Sequence, residues 1–345
     1  MSRILMMSVL VVCLATWAYA DGKYALIRLP LPTDYPQGMT TAIDNQGRIT
    51  GYYFKDWLTR WQDCHACYWQ NGKCYTLPSP PHTPTIAVGE STSAFLIEAY
   101  HADGSPYYAY LCSGGFICPV SDIWHRAQHI AANAINKSNQ VVGSYETADH
   151  HCRAFLWSAG IFLDLGTPDG MESWAYGIND RGQVVGGVMG TDQVRYAFLW
   201  QKGIMTILPQ PFSEAKAINN LGQIVGYSDC RILNDGRWDY LPCACLWEKD
   251  KLTFLGILNR GKDSIATAVN NRGDIVGYSD SGEQADFVCF WNSQGLVDEL
   301  FALREYPGPA AHASDINDFG QIVGDTAYNS AMYSTWPLPL LWQPQ

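Results

Sequence analysis

The chain has 345 residues, with 33 acidic side chains against 22 Lys and Arg and a formal net charge of −11. Phosphates select basic surfaces, so this balance excludes nucleic acid as a partner, and beyond the first twenty positions no segment approaches the ~20 apolar residues of a spanning helix. Gly at 31 and Pro at 18 imply frequent turns, whereas 13 Trp and 20 Tyr exceed what turns explain.

In chain order, the first element is a leader. Arg3 precedes an apolar run over residues 4–18 that ends in Ala18-Tyr19-Ala20, the pattern of a secretory signal peptide cut after Ala20. Residues 1–20 are thus expected to be a signal and 21–345 a single exported domain, secreted or periplasmic. Residues 24–29 then read as a lone strand. The block Ala42-Ile43-Asp44-Asn45-Gln46-Gly47-Arg48-Ile49-Thr50-Gly51 follows and returns at 134–143, 177–186, 217–226, 268–277 and 315–324. A second block ending in Trp trails each copy: Trp69, Trp157, Trp200, Trp247, Trp291 and Trp342, four of them preceded by Leu. The first interval is about twice the others and holds a worn copy over 85–89, 94–100, 108–112 and 116–120, which makes seven units.

Each unit reads as four short strands. The Asn or Asp of the first block hydrogen-bonds its own turn, and the following Gly supplies the positive φ; Asn139, the next most tolerant residue, replaces that Gly in the third unit. The second Gly of the block falls mid-strand, where the neighbouring Trp is expected to pack over it. Four-stranded sheets repeated at this period predict an all-β, seven-bladed β-propeller of four-stranded antiparallel blades. The last unit stops after three strands at Trp342, so the N-terminal strand should close the last blade. Ala132, Ala175, Ala215, Ala266 and Ala313 on the first strands fit either a crowded axis or tight packing between blades.

The blocks resemble the extracellular HAF repeat family of bacterial exported proteins, named for a His-Ala-Phe run before Leu-Trp. Here the His is replaced, as in Arg153-Ala154-Phe155 and Tyr196-Ala197-Phe198, and the Ala-Phe-Leu-Trp core remains. The resemblance covers nearly the whole chain after residue 20. It implies an exported repeat protein and carries over no activity or catalytic residue.

Ten cysteines remain once Cys13 leaves with the signal, and in an exported protein an even number predicts disulfides. Cys67 with Cys74, and Cys112 with Cys118, each flank a Gly-containing turn; Cys230 and Cys243 bracket a long insertion. Cys67, Cys245 and Cys289 also share a repeat position where other copies carry Phe, which reads equally well as buried free thiols.

The turns within the two hairpins of a unit are tight, so ligand binding is expected on the opposite face, where the connections are long and varied. The candidate ligand-binding residues are Trp57, Arg60, Trp61, Trp124, His125, Trp174, Trp238, Asp239, Tyr240 and Trp336. Trp and Tyr offer wide contact area with few rotors, which suits a glycan or a surface protein. The bland alternative is that these aromatics turn inward and plug the ring. The leading reading is a non-enzymatic binding module; a hydrolase or lyase with a site at the propeller axis, and a structural envelope protein, are the alternatives. Catalytic residues, cofactor and metal are all expected to be none. The phosphate-loop spacing of residues 256–262 lacks the Ser or Thr that binds magnesium, and Asp149-His150-His151-Cys152 spells an acyl-transfer tetrad without its membrane setting. Cys64, His65, Cys67 and Cys74 match zinc in type but not in spacing.

Overall fold

The computed structural model describes residues 18–20, 23–80, 83–101, 104, 106–114, 116–121, 128–168, 170–234, 237–249, 251–257, 263–280, 286–291, 297–300, 311–326 and 337–345, with backbone alone at 18–20, 106–107, 128, 170–171, 231–234, 237–240, 280, 286 and 297–299. It is a seven-bladed β-propeller. Blades one to six occupy 37–76, 85–120, 128–164, 170–211, 213–254 and 264–300, each an antiparallel sheet in sequence order. Blade seven takes Ala311–Ile316, Ile322–Thr326 and Pro339–Pro344 from the end of the chain and Tyr24–Arg28 from its beginning. Ile27 pairs with Leu341 in that latch, so the ring closes by strand pairing and leaves no open junction. Ala18–Ala20 adds a short fifth strand outside Tyr24–Arg28.

Hydrophobic clusters form between consecutive blades. Ala175 packs on Val142, Ala154 and Leu156 of blade three, and Ala215 on Val185 and Ala197 of blade four. Ala266 and Ala313 repeat the arrangement on blades five and six. The first-strand alanines therefore serve close approach of neighbouring sheets. The third-strand tryptophans Trp69, Trp291 and Trp342 are almost wholly buried in the same clusters.

The mid-strand glycines have a different cause from the one expected. In all seven blades the first strand carries a bulge, as between Ala132 and Ala134 or between Ala215 and Ala217, and in every blade except blade two, where Ile97 stands there, a glycine faces it. That bulge pushes a carbonyl oxygen toward the second strand. A Cβ on Gly143 would lie 1.9 Å from the Ala131 oxygen, and one on Gly226 would lie 2.0 Å from the Glu214 oxygen. The backbone carbonyl is the nearest obstacle to a side chain; in blade one the indole adds to the crowding, with Trp69 2.9 Å from a Cβ on Gly51, and in blade four Phe198 does so at 2.9 Å from one on Gly186.

Cys230 and Cys243 form a disulfide, with Cα atoms 5.7 Å apart. The segment they bracket is a β-ribbon in which Ile224–Asn234 pairs with Arg237–Glu248. The other two expected pairs are unbridged. Cys112 stands opposite Ile117 and Cys118 opposite Leu111; an offset of one residue sends the two thiols to opposite faces of the sheet. Cys67 stands opposite Thr76 and Cys74 opposite Trp69, which leaves them diagonal on one face. Cys67, Cys245 and Cys289 are buried at the repeat position they share.

Candidate functional site

The first strands line the axis in layers. At the tight-turn end a belt of asparagines joins the blades. Asn136, Asn179, Asn219, Asn270 and Asn317 are each nearly buried. The Oδ1 of Asn219 accepts the Leu221 and Gln223 N–H groups at 3.0 and 2.9 Å, and its Nδ2 donates to Gln223 and to the Asn270 carbonyl at 2.6 and 2.8 Å. The same donation to the next blade runs from Asn136, Asn179, Asn270 and Asn317, the last reaching the Asp44 carbonyl at 2.9 Å. The side chain that shapes each turn thus also ties it to its neighbour. At the former Gly position Asn139 adopts φ 56°, as expected.

The belt changes chemistry between blades one and two. Asp44 holds its own turn through the Gln46 and Arg48 N–H groups, both at 2.8 Å, but a carboxylate has no N–H for the next blade. Arg48 supplies it, donating to Asp44 Oδ2 at 2.9 Å and to the Ser91 carbonyl at 3.1 Å. In blade two the turn is one residue shorter: Glu90 pairs directly with Phe95, where Ile135 pairs with Val141 in blade three. Ser91 takes the place of Asn.

Immediately below the belt is a collar of first-strand side chains. Six positions are β-branched and aliphatic, Ile43, Ile135, Ile178, Ile218, Val269 and Ile316; the seventh is Glu90. All border a cavity of about 270 Å³ that opens on the tight-turn face. The Glu90 side chain is only 2 % exposed, and neither carboxyl oxygen has a hydrogen-bond partner. Burial, then the nearby Asp44 and Asp315, push its pKa up to about 8 against the pull of Arg48. Two residues deeper, Thr41, Asn133, Thr267 and Ser314 bond to first-strand carbonyls of the next blade at 2.7–3.0 Å. Polar rungs again lock adjacent blades.

Toward the long-loop face a charged cluster sits between blades four and five. Glu214, almost fully buried, pairs with Arg195 and with Lys216, whose Nζ lies 2.6 Å from Oε2. The Arg195 guanidinium stands over Trp174 at 5.5 Å and Lys216 over Tyr176 at 4.2 Å. Across the ring, burial raises Glu98 to about 7 and Asp325 to about 7; Glu98 accepts bonds from Tyr100 and from the Ala132 N–H.

Of the predicted ligand-binding residues, the structure brings Trp57, Arg60 and Trp61 together. The short helix Arg60–Asp63 follows Trp57, and the Arg60 guanidinium lies between two indoles, 3.8 Å from the Trp57 ring and 4.7 Å from Trp61. Trp61 leans on Tyr100 of blade two at 4.8 Å and Trp57 on Phe54 at 6.0 Å, so inner faces are packed while all three side chains remain half-buried. Each indole packs one face against the blade one to two rim. Leu58 between them is 85 % exposed. Trp174 stands apart on blade four. Trp238, Asp239 and Tyr240 lie on the ribbon, facing Leu233, Ile232 and Arg231 in register, with side chains outside the described residues. Trp124, His125 and Trp336 lie wholly outside them. Sequence reasoning missed Arg195, Glu214 and Lys216, which repeat alignment treats as ordinary strand positions, and Glu90, which falls in the gap of the worn copy.

No protein-family model matches the chain, and no curated protein is similar to it in sequence. Solved propellers are similar in fold. A Mycobacterium tuberculosis puromycin-hydrolyzing peptidase superposes with a TM-score of 0.52 at 8 % identity over 86 % of this chain, which spans 52 % of that one. The β-propeller domain of the Trilobed protease from Pyrococcus furiosus gives 0.52 at 9 % identity, covering 91 % and 96 % of the two chains. An Aleuria aurantia lectin bound to Fucα1-6GlcNAc gives 0.42 at 10 % identity over 91 % and 96 %. At such identities the first two likenesses bear on the fold alone.

Proposed function

We propose that the protein is an exported, non-enzymatic binding module of the HAF repeat type that holds a glycan on its long-loop face. The observation that carries this reading is the Trp57-Arg60-Trp61 stack, which holds a cation between two half-buried indoles beside an exposed leucine. Such a platform offers the exposed parts of the indoles and the Leu58 side chain to the C–H side of a sugar and guanidinium donors to its hydroxyl or acidic groups. Its packing on Phe54 and Tyr100 fixes the rings in advance, which lowers the ordering cost of binding. The Cys230–Cys243 disulfide supports an oxidising compartment. Removal of the leader after Ala20 takes away the outermost strand of blade seven and leaves the latch strand Tyr24–Arg28 in place.

A glycan array probed with the wild-type protein and with Trp57→Ala, Arg60→Ala and Trp61→Ala tests the reading. Glycan binding that is lost in all three variants is expected. Binding that survives in all three overturns the assignment to this face, and turnover of a glycan or peptide substrate by the wild type overturns the non-enzymatic reading.

A further inference from the structure

We propose that the axial pocket at the tight-turn mouth binds a primary alkylammonium group, with Glu90 as its counter-ion and the Ile/Val collar as the wall for its aliphatic stem. This site lies on the face opposite the aromatic rim and is independent of the glycan reading. The sevenfold comparison isolates it. Six blades place Ile or Val in the collar and one places a carboxylic acid there, at the same junction where the asparagine belt is interrupted. An ordinary structural carboxylate would have partners. Asp44 accepts two backbone N–H groups and Arg48 Nε; Asp315 accepts the Ile43 and Ile316 N–H groups at 2.9 and 2.8 Å. Glu90 has no hydrogen bond of normal geometry: the Asp44 N–H that faces it is already given to the Arg48 carbonyl at 3.0 Å. Its nearest cation, Arg48 Nε, is 3.4 Å away and already donates to Asp44, which is too far for the short contact of a charge-assisted bond.

Charge selects the ligand. The groups facing Glu90 are Asp44 and Arg48 on blade one and Asp315 on blade seven, so three carboxyl groups share one guanidinium. The other cations that line the axis are committed: Lys137 at the rim to Asp180 at 3.1 Å, and Lys216 in the deeper layer to Glu214. Asp318 at the rim accepts from Asn45 and Asn271. The pocket is therefore short of positive charge, and it holds about 270 Å³ at the mouth, with a second space of about 280 Å³ beneath it bordered by the same Glu90 and by collar residues. An ammonium head with a short alkyl stem suits both the charge and the space: N–H donors meet the unpartnered oxygens and methylenes meet the collar. Among the described residues no group of three His, Cys, Asp or Glu is disposed to hold a metal ion, which separates this site from a metal centre. An empty pocket keeps a proton on Glu90, because burial and the two neighbouring carboxyl groups oppose its charge. A bound ammonium ion reverses that balance, so binding releases the Glu90 proton to solvent.

Titration calorimetry of the intact protein with n-butylammonium and cadaverine, in two buffers of different ionisation enthalpy, reads this out. Binding is expected to release close to one proton per site at pH 6 and 7 and far less at pH 9, with affinity about tenfold higher at pH 7 than at pH 6. Glu90→Ile, which restores the collar residue of the other blades, and Glu90→Gln, which keeps the shape, should both abolish binding while circular dichroism and melting show a folded ring. Nα-acetyl-lysine methylamide tests whether the same head group also enters from a lysine side chain; uptake of either kind of amine that depends on Glu90 supports the site. Wild-type protein that takes up no amine at about 10 mM, variants that bind as well as wild type, or binding without proton release below pH 8 would each overturn the proposal.

Discussion

Blades three to seven and blade two are built from the same four strands but close their junctions by different means. In the regular blades one asparagine satisfies its turn and donates to the next blade, a bulged carbonyl demands glycine on the second strand, and the collar is aliphatic. Blade two has a shorter turn, Ser91 in place of Asn, Ile97 opposite Ala87 where other blades have glycine, and Glu90 in the collar. Its junction with blade one depends on the Arg48 guanidinium instead. Repetition in this ring therefore serves closure, and the two irregular junctions that flank blade two are where chemistry not needed for closure is found.

The comparison breaks first at the glycines. Gly226→Ala should destabilise the ring by about 3 kcal/mol or more, because the new Cβ meets the Glu214 carbonyl at 2.0 Å and the strand must shift. Urea unfolding checks it; a change under about 1 kcal/mol would mean that the bulge yields freely.

Next come the belts. Asn219→Ala leaves two turn N–H groups and the Asn270 carbonyl without their partner, a cost of about 2–3 kcal/mol. Ser91→Ala removes acceptance from Ser93 and Ala94 and one bond to Asn139, and should cost about 1 kcal/mol because Arg48 still bridges the junction through the Ser91 backbone. Equal effects at the two positions would erase the distinction between the junctions.

The acids sharpen it further. Folding raises Glu90 to about 8, Glu98 and Asp325 to about 7 and Asp315 to about 6, chiefly by desolvation. The folded chain then binds more protons than the unfolded chain between about pH 4 and 8, so stability is greatest at the acid end of that window and falls as the pH rises through it. Asp180 and Asp318, which hydrogen bonds hold below the usual carboxylate range, lose stability only when the pH drops further. Melting should occur several degrees higher at pH 5.5 than at pH 8.5. The smallest stability effect is expected at the rim, where Arg60→Ala should cost about 1 kcal/mol or less while removing the stacked cation.

The propeller was legible because Asn, Gly and Trp recur for local reasons, turn geometry and blade packing, that need no tertiary knowledge. The latch followed from counting strands. What the pattern could not show was the bulge, which has no residue signature of its own, so the mid-strand glycines suggested the wrong neighbour. The insertion that Cys230 and Cys243 bracket reads as a long connection, although Asn234-Asp235-Gly236 carries a hairpin signal. Glu90 escaped for a physical reason as well: the turn shortened by one residue places it between the two aligned stretches of the worn copy.

The difference between the junctions is tested most directly by the melting of Glu90→Ile beside wild type at pH 8.5. If the lone collar carboxyl is maintained against stability, the variant melts several degrees above wild type there, and its advantage shrinks at pH 5.5 as the wild-type carboxyl regains its proton. A variant that melts at or below wild type at pH 8.5 would contradict the account and show that Glu90 belongs to the structural framework after all.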